Sequence, residues 1–411
     1  MSRFLTADHA RRIASHAWLY RVATPLLVAL LILVVPSARA GLLGKLLHSQ
    51  GDSGSGKVAR LAFRLDDGSF VPTTVVWSPD GRFIATSGTQ TRTIHIWDVA
   101  QRKLVKVLDL PHVPAALFHN MAWSPDGRYL ATCNSFASSL RIYATKDWSV
   151  VKDIGWGGAI GCGKPAFSSD GQELTVWGQN LTTFATSDWH VIRQLKAVQA
   201  DGNKVVAVPH PWNQHLLLHD MVYVPGTHTL LLAAGAFTKG TGVCEPSPNH
   251  YAPLAGLVYV VEPGETVLNR RIVVYCQPQG REVDLLTVNP DGKTLVTATG
   301  MMAGIAGPTS ENYTRVIRLS DGKNVTPTLT WHSNNAPGGL AVTPDGRFLI
   351  VGEAGLYYND HPVYIVDART MQLLDTVHAP PDVSDLAVAP DSTGFAVATG
   401  TGVTVWTFVR R

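Results

Sequence analysis

The chain has 411 residues, a formal net charge of +3, and 16% charged residues against 45% apolar ones. Length alone allows two or three domains, but a near-neutral chain without a basic footprint argues against a nucleic-acid partner. Thirty-seven glycines and 25 prolines in so apolar a chain fit an all-β protein rich in turns.

The first forty residues read as an export signal. Arg3, Arg11, Arg12 and Arg21 precede an apolar run over 22–35, and Ser37-Ala38-Arg39-Ala40 offers small residues where a signal peptidase cuts. Fourteen residues that include Thr24 and Pro25 fall short of the roughly 20 a membrane span needs; the alternative is an uncleaved anchor. The expectation is a signal peptide over 1–40, a Gly/Ser-rich flexible leader over 41–56, and a folded domain over 57–411. The mature protein would be periplasmic or secreted, with no stable membrane span once the signal is removed.

From residue 71 onward a short phrase recurs. It reads Trp77-Ser78-Pro79-Asp80-Gly81-Arg82, then Trp123-Ser124-Pro125-Asp126-Gly127-Arg128, Asn289-Pro290-Asp291-Gly292-Lys293 and Thr343-Pro344-Asp345-Gly346-Arg347. Pro presets φ, Asp bonds back to nearby backbone, and Gly tolerates positive φ, so each copy predicts a tight turn between antiparallel strands. Aligned on that turn, the chain falls into seven units with turns at Asp80, Asp126, Asp170, Gly226, Asp291, Asp345 and Asp391. Each has an apolar strand before the turn and a second one after it. A third strand such as 94–97 or 363–366 and usually a fourth such as 103–107 complete the unit. Four strands at a period of about 45 residues predict a blade of a β-propeller. The seventh unit lacks its fourth strand, and residues 58–65 at the other end of the domain would supply it, closing the ring.

The first unit, whose third strand ends in Trp97-Asp98, closely resembles a WD40 repeat, and the resemblance extends over about 57–411. The family's Gly-His dipeptide is absent. The Trp-Asp place elsewhere holds Tyr143-Ala144, Glu262-Pro263, Ser320-Asp321, Val366-Asp367 or Trp406-Thr407. The resemblance implies a seven-bladed propeller of four-stranded antiparallel blades.

The longer insertions (133–139, 155–164, 197–218, 236–255, 276–282, 299–313, 331–338 and 353–362) all belong to the second-to-third-strand and blade-to-blade connections. These share one face of a propeller, where recognition is expected. Trp156, Trp212, Tyr251, Tyr313, Trp331, Tyr357 and Tyr358 in this set are candidate interface anchors; the alternative is that each clamps its own loop. His210, His215, His219 and His250 flank the fourth unit and are metal-ligand types, but their spacing matches no metal motif and no metal is assigned. Alignment of the first strands places Thr74, Asn120, Lys164, Asp220, Asp284 with Leu285, Gly339 and Asp385 around the channel mouth on the same face. Their carboxylates would either meet a cation or polar ligand or satisfy backbone donors. The positions of the cysteines around blades two to four predict disulfides Cys133–Cys162 and Cys244–Cys276 in an oxidising compartment.

No Gly-x-Ser-x-Gly elbow, phosphate-cradling loop or haem-attachment site is present, and no cofactor is expected. The sequence reads as an exported, non-catalytic, monomeric scaffold for a protein or peptide partner. The alternative is a periplasmic propeller enzyme or small-ligand receptor using the channel mouth.

Overall fold

The computed structural model describes residues 56–409 apart from 69–70, 90–91, 111–118, 135–138, 156–161, 178–179, 196, 201–203, 208–215, 238–253, 269, 277–280, 302–310, 333–336, 355–360 and 380–382. These residues lie in one compact unit, Gly54–Arg411.

The turn phrase builds the same hydrogen-bonded knot at successive sites. Ser78 Oγ donates to Asp80 Oδ1 at 2.5 Å and accepts from Phe83 N at 2.8 Å, while Asp80 Oδ1 also takes Arg82 N at 3.0 Å. Ser124, Ser168 and Thr343 repeat the arrangement with Asp126, Asp170 and Asp345. The hydroxyl ahead of the Pro is therefore as much part of the signature as the Pro-Asp-Gly itself. Gly127 at φ 73° shows why the fourth place favours glycine.

The strands so joined form seven antiparallel sheets of four. Blade 1 is Val71–Trp77, Phe83–Thr89, Thr93–Asp98 and Lys103–Asp109, from the inner strand outward. Blade 2 is His119–Trp123, Tyr129–Asn134, Ser139–Ala144 and Val150–Gly155. Blade 3 is Ala166–Phe167, Glu173–Trp177, Leu181–Ala185 and Val191–Leu195. Blade 4 is Leu216–Tyr223, Leu230–Phe237, Leu254–Val261 and Arg270–Cys276. Blade 5 is Arg281–Val288, Thr294–Met301, Glu311–Arg318 and Leu329–His332. Blade 6 is Pro337–Val342, Phe348–Glu353, His361–Asp367 and Leu373–Ala379. Blade 7 is Asp385–Val388, Gly394–Thr399 and Gly402–Phe408, completed by Ala59–Leu65 from the start of the domain.

The closing strand pairs antiparallel with Gly402–Phe408, from Ala59 opposite Phe408 to Leu65 opposite Val403. Its start is pinned twice more. Val409 N donates to Val58 O at 2.8 Å, and Asp375 Oδ2 on the outer strand of blade 6 accepts Val58 N at 2.7 Å.

Both faces of a blade are apolar, so the second strands read as unbroken buried runs; Phe348–Glu353 and Gly394–Thr399 are buried at every position. The core is accordingly divided among the blade junctions. One cluster joins blades 1 and 2 through Ile94, Ile96, Met121 and Leu130. Another joins 3 and 4 through Leu181, Met221, Leu230 and Leu257. The 7–1 junction has its own, through Leu65, Val75, Trp97 and Val405.

Two features depart from the sequence reading. The insertion 197–218 contains a hairpin, Ala197–Ala200 with Lys204–Ala207, whose first strand pairs in parallel with Val267–Leu268 beside blade 4. Trp331 and Tyr313 lie in strands of blade 5, not in loops. In both cases alignment on the turn left these segments as insertions between strands, and sheet pairing incorporates them.

Removing residues 57–66 is expected to unfold or aggregate the protein, whereas removing 41–54 leaves the melting temperature unchanged. Asp375→Ala should cost about 1–3 kcal/mol by removing the acceptor of the Val58, Ala59 and Thr376 amides, read as a lower denaturant midpoint at unchanged slope.

Candidate functional site: the channel mouth

The inner strands line a central channel, and their first residues set its mouth on the face opposite the turn phrase. Four of them carry an irregularity in register at that level: between Pro72 and Thr74, Leu218 and Asp220, Val283 and Leu285, and Pro337 and Gly339. A bulge of this kind re-aims side chains at a strand end. It places His219 and Asp284, at equivalent positions of blades 4 and 5, with Nδ1 and Oδ1 3.7 Å apart.

Two carboxylates, the buried Asp220 and the partly buried Asp385, act as clasps between blades. Asp220 Oδ1 accepts Met221 N at 2.9 Å, and its Oδ2 accepts Leu286 N of blade 5 at 3.2 Å. Asp385 does the same across the 7–1 junction, taking Leu386 N at 2.9 Å and Val75 N at 3.0 Å. Asn120 Nδ2 points to Cys162 O at 3.5 Å across the 2–3 junction.

Lys164, just ahead of the short inner strand of blade 3, differs from these groups. Its ammonium lies 3.5 Å from Asp220 Oδ1; its side chain is 49% exposed while that of Asp220 is 4% exposed. The Asp220 carboxylate raises the Lys164 pKa above the usual lysine value against the opposing effect of burial, with a smaller contribution from Asp385. Burial pushes Asp385 up to about 6, against the opposing pull of Lys164 and of its amide partners.

Beneath Lys164 the channel wall forms a cavity of about 270 Å³. Its lining is about equally polar and apolar: Phe167, Met221, Tyr223, Leu286 and Leu340 contribute on one side and Ser169 and Thr287 on the other, with Lys164 its one charged residue. The Tyr223 hydroxyl is turned away into blade 3, donating to Glu173 Oε2 at 2.9 Å and meeting Thr175 Oγ1 at 2.6 Å. This lining was not anticipated from sequence, although the apolar inner strands contained it.

Of the anticipated interface aromatics, Tyr313 stacks on Tyr275 with ring centroids 5.9 Å apart, and its backbone is held by Thr299 Oγ1. Trp156, Trp212, Tyr251, Tyr357 and Tyr358 lie outside the described residues, as do His210, His215, His250 and Cys244. Among the described residues no three His, Cys, Asp or Glu groups are arranged to hold a metal ion. Cys133 and Cys162 are disulfide-bonded with Cα atoms 5.4 Å apart, tying the second strand of blade 2 to the start of blade 3.

Comparison with known proteins agrees with this architecture. A model of the family described as eukaryotic translation initiation factor eIF2A matches residues 68–148, blade 1 and most of blade 2. The solved structure of the RRP9 WD40 repeats superposes with a TM-score of 0.61 at 13% identity, covering 87% of this chain and 98% of that one. No curated protein sequence matches the chain. The protein is a WD40-like seven-bladed propeller.

Two outcomes follow. Non-reducing peptide mapping should recover a Cys133–Cys162 linked pair. Its reduction should cost about 3–4 kcal/mol on the chain-entropy scale for a separation of 29 residues. Because the folded-state pKa of Asp385 is raised, its contribution to stability is fully present below the unfolded value of about 3.8 and is lost as pH rises through about 6. Up to about 3 kcal/mol should disappear across that window, and Asp385→Asn should flatten that part of a stability-versus-pH curve measured by urea melts.

Proposed function

We propose that the protein is exported and works as a non-catalytic scaffold, binding a protein or peptide segment through the face that carries the channel mouth. The observation that carries this reading is an asymmetry between the two faces. On one, successive turns repeat the same closed hydrogen-bonded knot and leave few side-chain groups uncommitted. On the other, the strand ends flank every long connection, and the channel opens beside a half-exposed lysine. A rigid disc with variable segments on one side presents contacts at low entropic cost.

Export is supported by the residue pattern of 1–40 and by the Cys133–Cys162 disulfide, which persists in oxidising compartments. The likeness to WD40 repeats is consistent with an interaction role, although the fold alone hosts many functions.

A crosslinked pull-down from the native compartment tests the reading. The wild-type protein should capture a partner, and a Trp212→Ala, Tyr251→Ala, Trp331→Ala variant should lose it. Arg82→Ala with Arg128→Ala, on the turn face, should retain it. Loss through the turn-face pair alone, or capture of nothing by any form, would overturn the proposal.

A further inference from the structure

We infer that the Cys133–Cys162 disulfide is a redox-sensitive strut for the channel mouth: intact, it holds the Lys164 ammonium against the Asp220 carboxylate, and its reduction releases Lys164 and shifts the mouth toward negative charge. This goes beyond the scaffold reading above and is independent of what the face binds.

The bond is attached close behind the lysine. Cys133 lies in the second strand of blade 2, opposite Asn120 of the inner strand, and Asn120 Nδ2 points to Cys162 O at 3.5 Å. Lys164 stands two residues beyond Cys162, and two residues later the inner strand of blade 3 begins, itself only Ala166–Phe167. The lysine therefore rides on a short bridge with a covalent tie to blade 2 at one end and a two-residue strand at the other. Between them Gly163 N donates to Trp177 O at 2.9 Å, and a Cβ at Gly163 would stand 3.0 Å from that of Trp177. Pro165 adds no backbone donor to hold the bridge down.

What the strut holds is the loosest member of the mouth. Asp220 and Asp385 each accept amides from their own and a neighbouring blade, so both are fixed without the lysine. Lys164 reaches Asp220 Oδ1 at 3.5 Å with its side chain 49% exposed. An ion pair with one end in solvent is weak by itself, so the position of the backbone behind the ammonium decides whether it persists. Lys164 also draws the Asp385 pKa down against the effect of burial, so its departure is felt at both carboxylates.

The junction itself does not hang on the bond. Around it Leu140, Ile142, Leu174, Val176 and Phe184 pack as one apolar cluster between blades 2 and 3. The reductant is a dithiol. One of its thiolates attacks a cysteine sulfur and the S–S bond breaks; its second sulfur then displaces that cysteine. Two electrons and two protons pass to Cys133 and Cys162 as thiols, and the dithiol becomes a disulfide. Because Cys133 and Cys162 are 0% and 3% exposed, the exchange proceeds through local opening of the bridge.

The test is amine labelling of the purified full-length protein, read by peptide mass spectrometry at Lys164 relative to the exposed Lys146, before and after dithiothreitol and thiol capping. Reduction should raise that ratio about two- to fivefold, the weight of a half-exposed ion pair, with the circular dichroism of the fold unchanged. Asp220→Asn should show the raised ratio already when oxidised and no further rise on reduction. Cys133→Ala with Cys162→Ala should match the reduced wild type and excludes side effects of the reductant. The pH midpoint of Asp385, about 6 in the oxidised protein, should move upward in the same samples. An unchanged Lys164 ratio in reduced, folded protein overturns the inference, as does resistance of the bond to dithiothreitol in the native protein. Unfolding on reduction or in the cysteine variant overturns it too, because the bond would then hold the fold and not the mouth. None of these failures touches partner capture by the face.

Discussion

Every blade of this protein is a sheet with two apolar faces, and no blade can bury both by itself. The core is consequently a set of junction clusters, the smallest holding eight buried residues, and each blade belongs to two of them. Withdrawing one blade would expose two clusters, on the order of tens of kcal/mol of burial, against a net stability of about 5–15 kcal/mol for a folded domain. The ring is therefore all-or-none in a way that a stack of repeats with free ends is not. That constraint explains why the chain devotes its first described strand to its last blade, where Asp375 of blade 6 holds the start of that strand, while Asp385 clasps blade 7 to blade 1.

The turn phrase takes part in the same task. Pro79 packs within 3.5 Å of the Cβ position of Gly127 in the next blade, Pro125 stands 3.6 Å from that of Gly171, and Pro390 3.5 Å from that of Gly81. The phrase is both a local turn and a link in a collar around one face. Where its residues change, the collar is kept by other means. Blade 3 has Ser169 in place of Pro, and Ser169 Oγ accepts Gly226 N at 2.9 Å. His228 of blade 4 then sits 3.1 Å from Asp170 and 3.0 Å from Glu173. At the 6–7 junction Ser392 Oγ accepts Asp345 N at 3.0 Å. The units weakest in sequence are those where polar contacts replace Pro-on-Gly packing.

What sequence could show follows from this division. Turns, strand count and ring closure were legible because each is written in local residue chemistry repeated seven times. Asp220, Asp385 and Lys164 could be aligned with one another in sequence, each ahead of its own turn. The dual nature of the aspartates was not legible, because a carboxylate that clasps two amides and one that awaits a ligand look alike in a string of letters. The Cys133–Cys162 pair could be inferred from blade positions; the hairpin within 197–218 could not, since its pairing partner at Val267–Leu268 lies some seventy residues away. Tyr313 was misplaced for a related reason: its ring has a stacking partner, Tyr275, contributed by another blade.

Repetition also sharpens where to look for function. Seven inner strands offer seven equivalent places at the mouth, whereas the Ser/Thr-Pro-Asp-Gly turn recurs unchanged in three units and with substitutions in the other four. The mouth instead holds Thr74, Asn120, Lys164, Asp220, Leu285, Gly339 and Asp385. Asp220 and Asp385 solve the same clasp problem, so their likeness needs no ligand to explain it. Lys164 has no counterpart in the ring, and its ammonium pairs across the 3–4 junction with the Asp220 carboxylate, whose side chain is buried.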